Sequence, residues 1–338
     1  MDFSRRTSIR NSNRQAVQRA NAALPRPARL VRCYTSGAMT DNTSFVVKVP
    51  ATTANLGPGF DCLGMALDIW NTVEVEVGAS GVEISGEGAD VLSTDSSNLI
   101  IRSFQRACSE VGRKAPSVRV ASTNQVPVGR GLGSSTTAVV AGLTAGNEVC
   151  GRPLTQERLL EIATEIEGHP DNAAAAFLGG CQIVVREECR WVTVGVPIPD
   201  GLRAVIFIPS IPMPTEQARE LLQSRVERRD AVYNIGRVAL LTRAFSTGDF
   251  EHLAIATGDR LHQPARQVLF PSMSNIFRAA LSAGALGVFL SGAGSSVLAL
   301  TRGRELTIGY EMADAASKSN VAGDIKVATP TNKGVHLV

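Results

Sequence analysis

The stretch Pro127-Val128-Gly129-Arg130-Gly131-Leu132-Gly133-Ser134-Ser135-Thr136-Thr137 places three glycines at alternate positions before a cluster of hydroxyl side chains and a helix-forming run. Glycine lets backbone N–H groups approach an anion closely, and a helix N-terminus adds unpaired amides and partial positive charge. The stretch therefore predicts a phosphate-binding loop, with serine oxygens available to phosphates or to Mg²⁺. It lacks the lysine of a P-loop and the spacing of a dinucleotide fingerprint. A glycine-rich turn before a buried helix is the alternative.

The bulk composition is that of a globular protein. The 338 residues are 44% hydrophobic and 19% charged, which is enough chain for two domains. The net charge of +3 arises from the arginine-rich N-terminus, and only 5% of the residues are aromatic. A nucleic-acid-binding surface is therefore not expected. The longest apolar run, Ala173 to Val185, is too short for a bilayer span, which needs about 20 residues.

Residues 1–43 are expected to form a disordered or non-structural extension. The part before Met39 is rich in arginine, asparagine and alanine and has no apolar periodicity. A cleaved transit peptide, which would imply a plastid, and a true start at Met39 are the alternatives. The cysteines show no CxxC spacing and the histidines no paired zinc pattern. These features favour a reducing, cytoplasmic location.

The remaining chain predicts two α+β domains, residues 44–195 and 196–338, with the linker at Pro197 and Pro199. Predicted strands lie at Phe45–Val49, ended by Pro50, and at Val73–Val77, Val118–Val120, Gly180–Val185, Leu202–Ile208, Leu286–Leu290 and Val297–Leu300. Predicted helices lie at Leu99–Val111 after the cap Ser97-Asn98, at Ala138–Val149, from Thr155 to Glu167, and at Thr215–Leu222, Ala231–Phe245 and Met273–Ala283.

Several polar groups suit phosphoryl transfer, which depends on positioning and on charge neutralisation. Glu167 can share an Mg²⁺ ion with Ser135, although a solvated helix-terminal carboxylate is an equal alternative. Asn55 and Asp61 flank Gly57-Pro58-Gly59, where Asp61 can pair with an ammonium group or simply stabilise the turn. Arg219 and Arg266 suit carboxylate binding, but their spacing is not specific.

These segments together resemble the motif set of the GHMP kinases, and within them the homoserine kinase family. The matching segments are Asn55 to Asp61, Pro127 to Ser135, the run Glu167-Gly168-His169-Pro170-Asp171-Asn172 and the turn Ser291-Gly292-Ala293-Gly294-Ser295-Ser296. The first and third segments are the more specific to that family. The resemblance covers about residues 44–338. It implies a first domain like ribosomal protein S5 domain 2 and a ferredoxin-like second domain, with ATP and substrate between them.

The resemblance also implies roles for individual residues. ATP would contact Asn98 and the loop residues Pro127, Val128, Gly129, Arg130, Gly131, Leu132, Gly133, Ser134, Ser135 and Thr136. Ser135 and Glu167 would hold Mg²⁺. Homoserine would contact Asn55, Asp61, His169, Asn172, Thr215, Arg219 and Arg266. Glu167, Asp171 and Asn172 would form the catalytic set, and the product would be O-phospho-L-homoserine, an intermediate of threonine biosynthesis.

The resemblance leaves two points open. We expect Asn172 to orient the acceptor hydroxyl without a dedicated base, because neighbours at a helix start point in different directions and Asp171 can act as a helix cap. Thr136 and Thr137 replace the alanines usual in the family. A homodimer is the family expectation. The rivals are a GHMP kinase for a mevalonate-like acid or a diphosphocytidyl polyol, and a non-catalytic binding protein.

Overall fold

The computed structural model describes residues 44–338, which contain two β-sheets flanked by helices. The strands are β1 (Ser44–Ala54), β2 (Leu63–Val77), β3 (Gly81–Gly86), β4 (Val118–Asn124), β5 (Cys181–Glu187), β6 (Arg190–Val196), β7 (Arg203–Pro209), β8 (Gly287–Leu290), β9 (Val297–Thr301), β10 (Gly323–Ala328) and β11 (His336–Leu337). The predicted N-terminal extension, residues 1–43, lies outside the described residues.

The helices fall into two groups, one for each sheet. The first group is α1 (Leu99–Glu110), α2 (Ser134–Val149), α3 (Gln156–Glu167) and α4 (Asp171–Leu178). The second group is α5 (Thr215–Glu220), α6 (Arg228–Thr247), α7 (Leu253–Ala256), α8 (Gln263–Arg266), α9 (Met273–Ser282) and α10 (Glu305–Ser317). Within residues 44–338, none of these helices has both the length and the hydrophobicity required to span a membrane.

The two sheets have different topologies. In the described chain the first sheet has seven strands in the order β11-β1-β2-β4-β3, with β5 and β6 continuing from β2. The second sheet has the order β10-β7-β9-β8. That order, together with the succession of strands and helices in this half, is the ferredoxin-like βαββαβ arrangement. Strand β11 returns to the first sheet and pairs with β1, so the chain ends beside the strand on which the described part begins.

The two halves share an apolar core. One buried cluster lies between the first sheet and α1 to α4, and another lies between the second sheet and the helices α9 and α10. A third cluster joins Met65 and Leu132 of the first half to Ile206 and Phe245 of the second half. Since burial of apolar surface drives packing, this third cluster ties the two halves together beneath the site described below.

Several element boundaries differ from the sequence prediction, and three of them lie next to the site described below. Pro50 does not end β1, because a β-bulge between Pro50 and Ala51 lets the strand continue. Strand β2 begins at Leu63 rather than Val73, and most residues of its first part are buried, so they show no alternation. Helix α2 begins at Ser134 rather than Ala138, which places the hydroxyl cluster in its first turn. The division at residues 195 and 196 stays a prediction.

Candidate functional site

The glycine loop is held closely between β1 and the turn of residues 291–296. Gly131 has φ +73°, and a Cβ there would lie 2.1 Å from the Ser291 carbonyl oxygen. Gly133 has φ +76°, and a Cβ there would lie 2.1 Å from Thr52 Oγ1. Ser291 Oγ is 2.7 Å from the Gly131 carbonyl oxygen and donates to it. These positions require glycine for both conformation and space.

Helix α2 presents an open N-terminus. Its N-cap is Gly133 in the left-handed conformation, and no described side chain caps the first-turn amides. Those amides belong to Ser134, Ser135 and Thr136, which all line the same cavity. Unpaired N–H groups and the helix dipole favour negative charge at this point. The loop geometry therefore agrees with the predicted phosphate site.

A cavity of about 420 Å³ lies in front of this helix end, a size typical of small-molecule sites. It brings together most of the predicted site residues from both halves of the chain. The predicted residues in its wall are Asn55, Asp61, Asn98, Val128, Gly129, Gly131, Gly133, Ser134, Ser135, Thr136, His169, Asp171, Asn172, Thr215, Arg219 and Arg266. Pro127, Arg130, Leu132 and Glu167 are not in the wall.

Glu167 lies next to the cavity and contacts two of its hydroxyl groups. Ser135 Oγ and Thr136 Oγ1 both donate to Glu167 Oε2, at 2.9 and 2.7 Å. A hydroxyl and a carboxylate beside a phosphate site fit Mg²⁺, which takes few protein oxygens and completes its shell with phosphate and water. Among residues 44–338, no group of three or more His, Cys, Asp or Glu residues could hold a metal.

The opposite side of the cavity carries charged side chains. Arg219 Nη2 and Nη1 donate to the two carboxylate oxygens of Asp61 at 2.6 and 3.1 Å, a bidentate ion pair. Each of these side chains is about one-third exposed, at 34% and 33%. The pair is therefore accessible from the cavity and can exchange partners with a charged ligand.

Arg266 is a second guanidinium on this side and is only 1% exposed. Its Nη1 donates to the Gly292 carbonyl oxygen at 2.8 Å, and no carboxylate of the described chain forms an ion pair with it. Its Nε has no hydrogen-bond partner among the described residues. Burial and the neighbouring charge of Arg219 lower the pKa of Arg266 to about 10. A buried cation with free donors favours an incoming carboxylate.

The phenyl ring of Phe60 lies close to both guanidinium groups. The Cζ atoms of Arg219 and Arg266 lie 5.4 and 5.6 Å from its centroid, within cation–π range. The ring also stacks on His262, with centroids 5.4 Å apart. Phe60 therefore packs against both arginines at the base of the charged side.

Asp171 and Asn172 lie between the phosphate side and the charged side. Asn172 Nδ2 is 3.4 Å from Asp171 Oδ1 and both residues line the cavity, so the expectation that they point in different directions is wrong. Asp171 Oδ1 also accepts from the Asn172 backbone N–H at 2.8 Å and from His169 Nδ1 at 3.0 Å. Burial alone would lower the pKa of His169, but Asp171 raises it above its usual value.

The amide orientation of Asn172 follows from one contact. Thr52 Oγ1 donates to Asn172 Oδ1 at 2.8 Å, and both residues are buried. Since the Asn172 oxygen is engaged, its Nδ2 is the group that can face a ligand. Asn172 can therefore donate a hydrogen bond to an acceptor hydroxyl oxygen.

Other predicted residues are engaged with the protein itself. Asn98 caps α1 through Oδ1 and donates from Nδ2 to the Ser93 carbonyl oxygen at 2.7 Å. Asn55 donates to the Gly292 carbonyl oxygen at 3.0 Å and accepts from the Asp61 backbone N–H. The Arg130 guanidinium donates to three backbone carbonyls, including those of Pro209 and Ser210. Their ligand contacts stay predictions.

Sequence reasoning missed Thr52, Phe60 and His262 as parts of this site. Phe60 lies within the quoted loop of residues 55–61, and His262 lies within the quoted segment that carries Arg266. Their positions in these motifs could have suggested them. Thr52 had no such signal, because it lies in the strand that was expected to end at Pro50.

Known proteins match this chain over most of its length. The model of the GHMP kinases N terminal domain matches residues 98–180, and that of the GHMP kinases C terminal domain matches residues 241–318. A homoserine kinase of Moorella thermoacetica is 40% identical over 294 residues, which are 87% of this chain and 99% of that protein. One of Microchaete diplosiphon is 38% identical over 296 residues, 86% of this chain and 96% of that protein.

A solved structure also matches. The crystal structure of homoserine kinase from Cytophaga hutchinsonii superposes with a TM-score of 0.78 at 31% identity, covering 90% of this chain and 99% of that one. Both the sequence relatives and this structure span nearly the whole described chain. The chain belongs to the homoserine kinase family of the GHMP kinases.

Proposed function

We propose that this chain transfers the γ-phosphoryl group of ATP to the side-chain hydroxyl of L-homoserine. The products are ADP and O-phospho-L-homoserine, an intermediate of threonine biosynthesis. One observation carries this proposal: the open N-terminus of α2 lines the same cavity as the buried Arg266, which pairs with no carboxylate of residues 44–338. The first suits a polyphosphate and the second an organic carboxylate.

The Asp61–Arg219 pair suits a zwitterionic amino acid. An α-ammonium group takes the place of Arg219 beside Asp61, and the α-carboxylate takes the place of Asp61 beside Arg219 and Arg266. This exchange adds no net charge to the cavity. The Asp61–Arg219 ion pair of the free protein is broken on binding and is replaced by two ion pairs with the ligand. Thr215, at the start of α5, and His169 line the same part of the wall.

The acceptor hydroxyl lies beside Asn172 in this proposal. Asn172 Nδ2 donates to the hydroxyl oxygen and leaves one lone pair directed at the γ-phosphorus for in-line attack. The amides at the start of α2 and the glycine loop stabilise the phosphate oxygens, so alignment and electrostatics account for most of the acceleration. Mg²⁺ held by Ser135 and Glu167 would neutralise phosphate charge.

No dedicated base is assigned, so the proton of the acceptor hydroxyl passes to an oxygen of the transferred phosphoryl group or to water, although Asp171 lies close enough to be considered. Its Oδ1 already accepts from His169 and from the Asn172 backbone N–H. Asp171→Asn tests this assignment by single-turnover kinetics. Loss of turnover with homoserine binding retained would make Asp171 the base, whereas residual turnover supports orientation by Asn172 alone.

Other GHMP kinases are the main rival. Mevalonate-like acids and diphosphocytidyl polyols carry no α-ammonium group, so neither would supply a cation to take the place of Arg219 beside Asp61. An ADP-release assay should compare homoserine, mevalonate, serine and threonine. We expect selective turnover of homoserine that is lost in Asp61→Ala and Arg219→Ala. Equal rates across the panel would reject the proposal.

We also infer a cytoplasmic homodimer with the domain division 44–195 and 196–338. The described cysteines Cys62, Cys108, Cys150, Cys181 and Cys189 are free thiols, which favours a reducing compartment. Light scattering during size-exclusion chromatography measures the mass of the assembly. A monomer across the micromolar range would contradict the dimer.

A further inference from the structure

His262 lies behind the charged side of the cavity and is completely buried. Its Nε2 is 2.7 Å from the carbonyl oxygen of Gly57, in the loop that carries Asp61. Its Nδ1 is 2.8 Å from Nη1 of Arg266, one turn further along the chain. The imidazole therefore connects Arg266 with the loop that carries Asp61.

These two partners determine the protonation of the ring. A guanidinium only donates hydrogen bonds, so Nδ1 must carry the lone pair, and a carbonyl only accepts, so Nε2 must carry the hydrogen. His262 is therefore neutral and held in one tautomer. Burial lowers its pKa to about 4, with Arg266 acting in the same direction and Asp259 opposing.

Asp259 does not replace either partner. Its Oδ2 is 3.5 Å from Nε2, beyond a good hydrogen bond. Its two oxygens instead accept the backbone N–H groups of Leu261, His262 and Gln263. Asp259 therefore stabilises the turn before α8, and the imidazole nitrogens of His262 bond to Gly57 and Arg266.

The contact determines how Arg266 presents its donors. Nη1 uses its two hydrogens on His262 Nδ1 and on the Gly292 carbonyl oxygen. With Nη1 held at two points and Phe60 against the guanidinium, the plane of the group is oriented. Among the described residues Nε has no hydrogen-bond partner, and it lies next to Nη2 on the edge of the guanidinium whose geometry matches a carboxylate.

We propose that His262 is a positioning residue that orients Arg266 towards the substrate carboxylate through its lone pair on Nδ1. This inference rests on the proposed function, since it assumes a carboxylate-bearing acceptor. The competing interpretation is a core histidine whose hydrogen bonds only stabilise the fold. The two interpretations differ in one respect: only a positioning role predicts that substituting His262 weakens recognition of the substrate carboxylate.

Two substitutions separate the contacts of the ring. In His262→Gln the side-chain amide nitrogen can reach the position of Nε2 and keep the Gly57 contact, but the Arg266 acceptor is lost. In His262→Asn the side-chain oxygen can occupy the position of Nδ1 and keep the Arg266 contact, but the Gly57 contact is lost. The assay compares kcat/KM for homoserine and for 3-aminopropan-1-ol, which lacks only the carboxylate.

For His262→Gln, we expect the preference for homoserine to fall by about tenfold or more, with the KM for ATP within about twofold of wild type. Arg266→Ala should lose the preference at least as strongly, and adding His262→Gln to it should cause no further loss. His262→Asn should keep the preference within about threefold. Thermal unfolding of all variants reports the structural effect separately.

The outcomes distinguish the inference from the proposed function. A wild-type chain with no preference for homoserine would overturn both. A wild-type preference that His262→Gln keeps, or that His262→Asn loses as fully as Arg266→Ala does, would overturn the inference alone. Should the variants unfold, ¹⁵N NMR of histidine-labelled wild-type protein at neutral pH still tests the tautomer that the inference requires. A neutral ring protonated on Nε2 supports the inference, and a ring protonated on Nδ1 overturns it.

Discussion

The two sides of the cavity are built differently. The amide donors of the phosphate side come from one continuous segment, in which the glycine loop leads directly into α2, and Glu167 adds a single carboxylate from α3. The acceptor side takes Asp61, Arg219 and Arg266 from three separate segments, and its binding groups are charged side chains. Backbone amides depend on local conformation, whereas charged side chains depend on the packing that brings them together.

Because of this difference, the two sides should be sensitive to different kinds of substitution. A change of backbone shape should damage the phosphate side, because three consecutive first-turn amides move with it. A change of one hydrogen bond should damage the acceptor side, because each charge is oriented by its own neighbours. The four predictions below test this contrast.

The largest effect is expected for Gly131→Ala. The new Cβ would lie 2.1 Å from the Ser291 carbonyl oxygen, so the loop must shift away from the turn. We expect kcat/KM to fall on the order of 1000-fold. The matched control is Gly129→Ala. Gly129 has a similar φ of +66°, but the nearest described atom to a Cβ there would be Pro212 Cβ, at an ordinary contact distance of 3.5 Å. Equal losses in both variants would show that conformation rather than crowding matters.

Glu167→Gln should impair the phosphate side by removing its negative charge. The amide keeps a hydrogen-bonding oxygen near Ser135 and Thr136 but loses the negative charge. We expect kcat to fall by about 100-fold, with a weaker dependence on Mg²⁺ concentration and an unchanged KM for homoserine. Glu165→Gln is the control, because in the described part of the chain Glu165 pairs only with Arg106 and Arg158, on the surface. A higher KM for homoserine in Glu167→Gln would contradict the separation of the two sides.

Thr52→Val tests the junction between the sides. The substitution keeps the shape of the side chain but removes the hydroxyl that donates to Asn172 Oδ1. We expect kcat to fall by about tenfold with little change in the KM of either substrate. Both substrates still bind, but Asn172 aligns the acceptor hydroxyl of homoserine less well. The control is Thr53→Val, which removes the hydrogen bond between Thr53 Oγ1 and Ser291 Oγ. Ser291 Oγ can still donate to the Gly131 carbonyl oxygen. Similar losses in both would contradict a specific role for Thr52.

The smallest effect concerns the pH dependence of stability. The pKa of His262 is lowered from 6.5 to about 4, so between these values the unfolded chain binds a proton that the folded chain does not. Stability therefore falls as the pH drops from 6.5 to 4, whereas well above pH 6.5 the ring is neutral in both states and its titration has no effect. His262→Gln removes this titration, so its unfolding free energy should decline by about 2 kcal/mol less over that window. Urea unfolding at both pH values measures the difference. Parallel declines would contradict a buried neutral imidazole.

Prediction from the sequence succeeded where the signal was local. The Asn98 cap and the Thr155 start of α3 were correct, because capping involves residues within one turn. It failed at Pro50, where pairing with β2 and a bulge overrode the local signal. It also failed for the directions of Asp171 and Asn172, because the Thr52 hydroxyl that orients Asn172 is 120 residues away along the chain.

The sequence by itself determined the phosphate loop, since glycine conformation and a helix N-terminus are properties of neighbouring residues. It also supplied the residue types of the acceptor side within recognisable motifs. Three features came from the folded chain alone: Asp61 pairs with Arg219, Arg266 is buried with no carboxylate partner among residues 44–338, and His262 contacts Gly57 across 205 residues. The physical reason is that charge pairing and desolvation depend on distances in space, which the shared apolar core of the two halves sets.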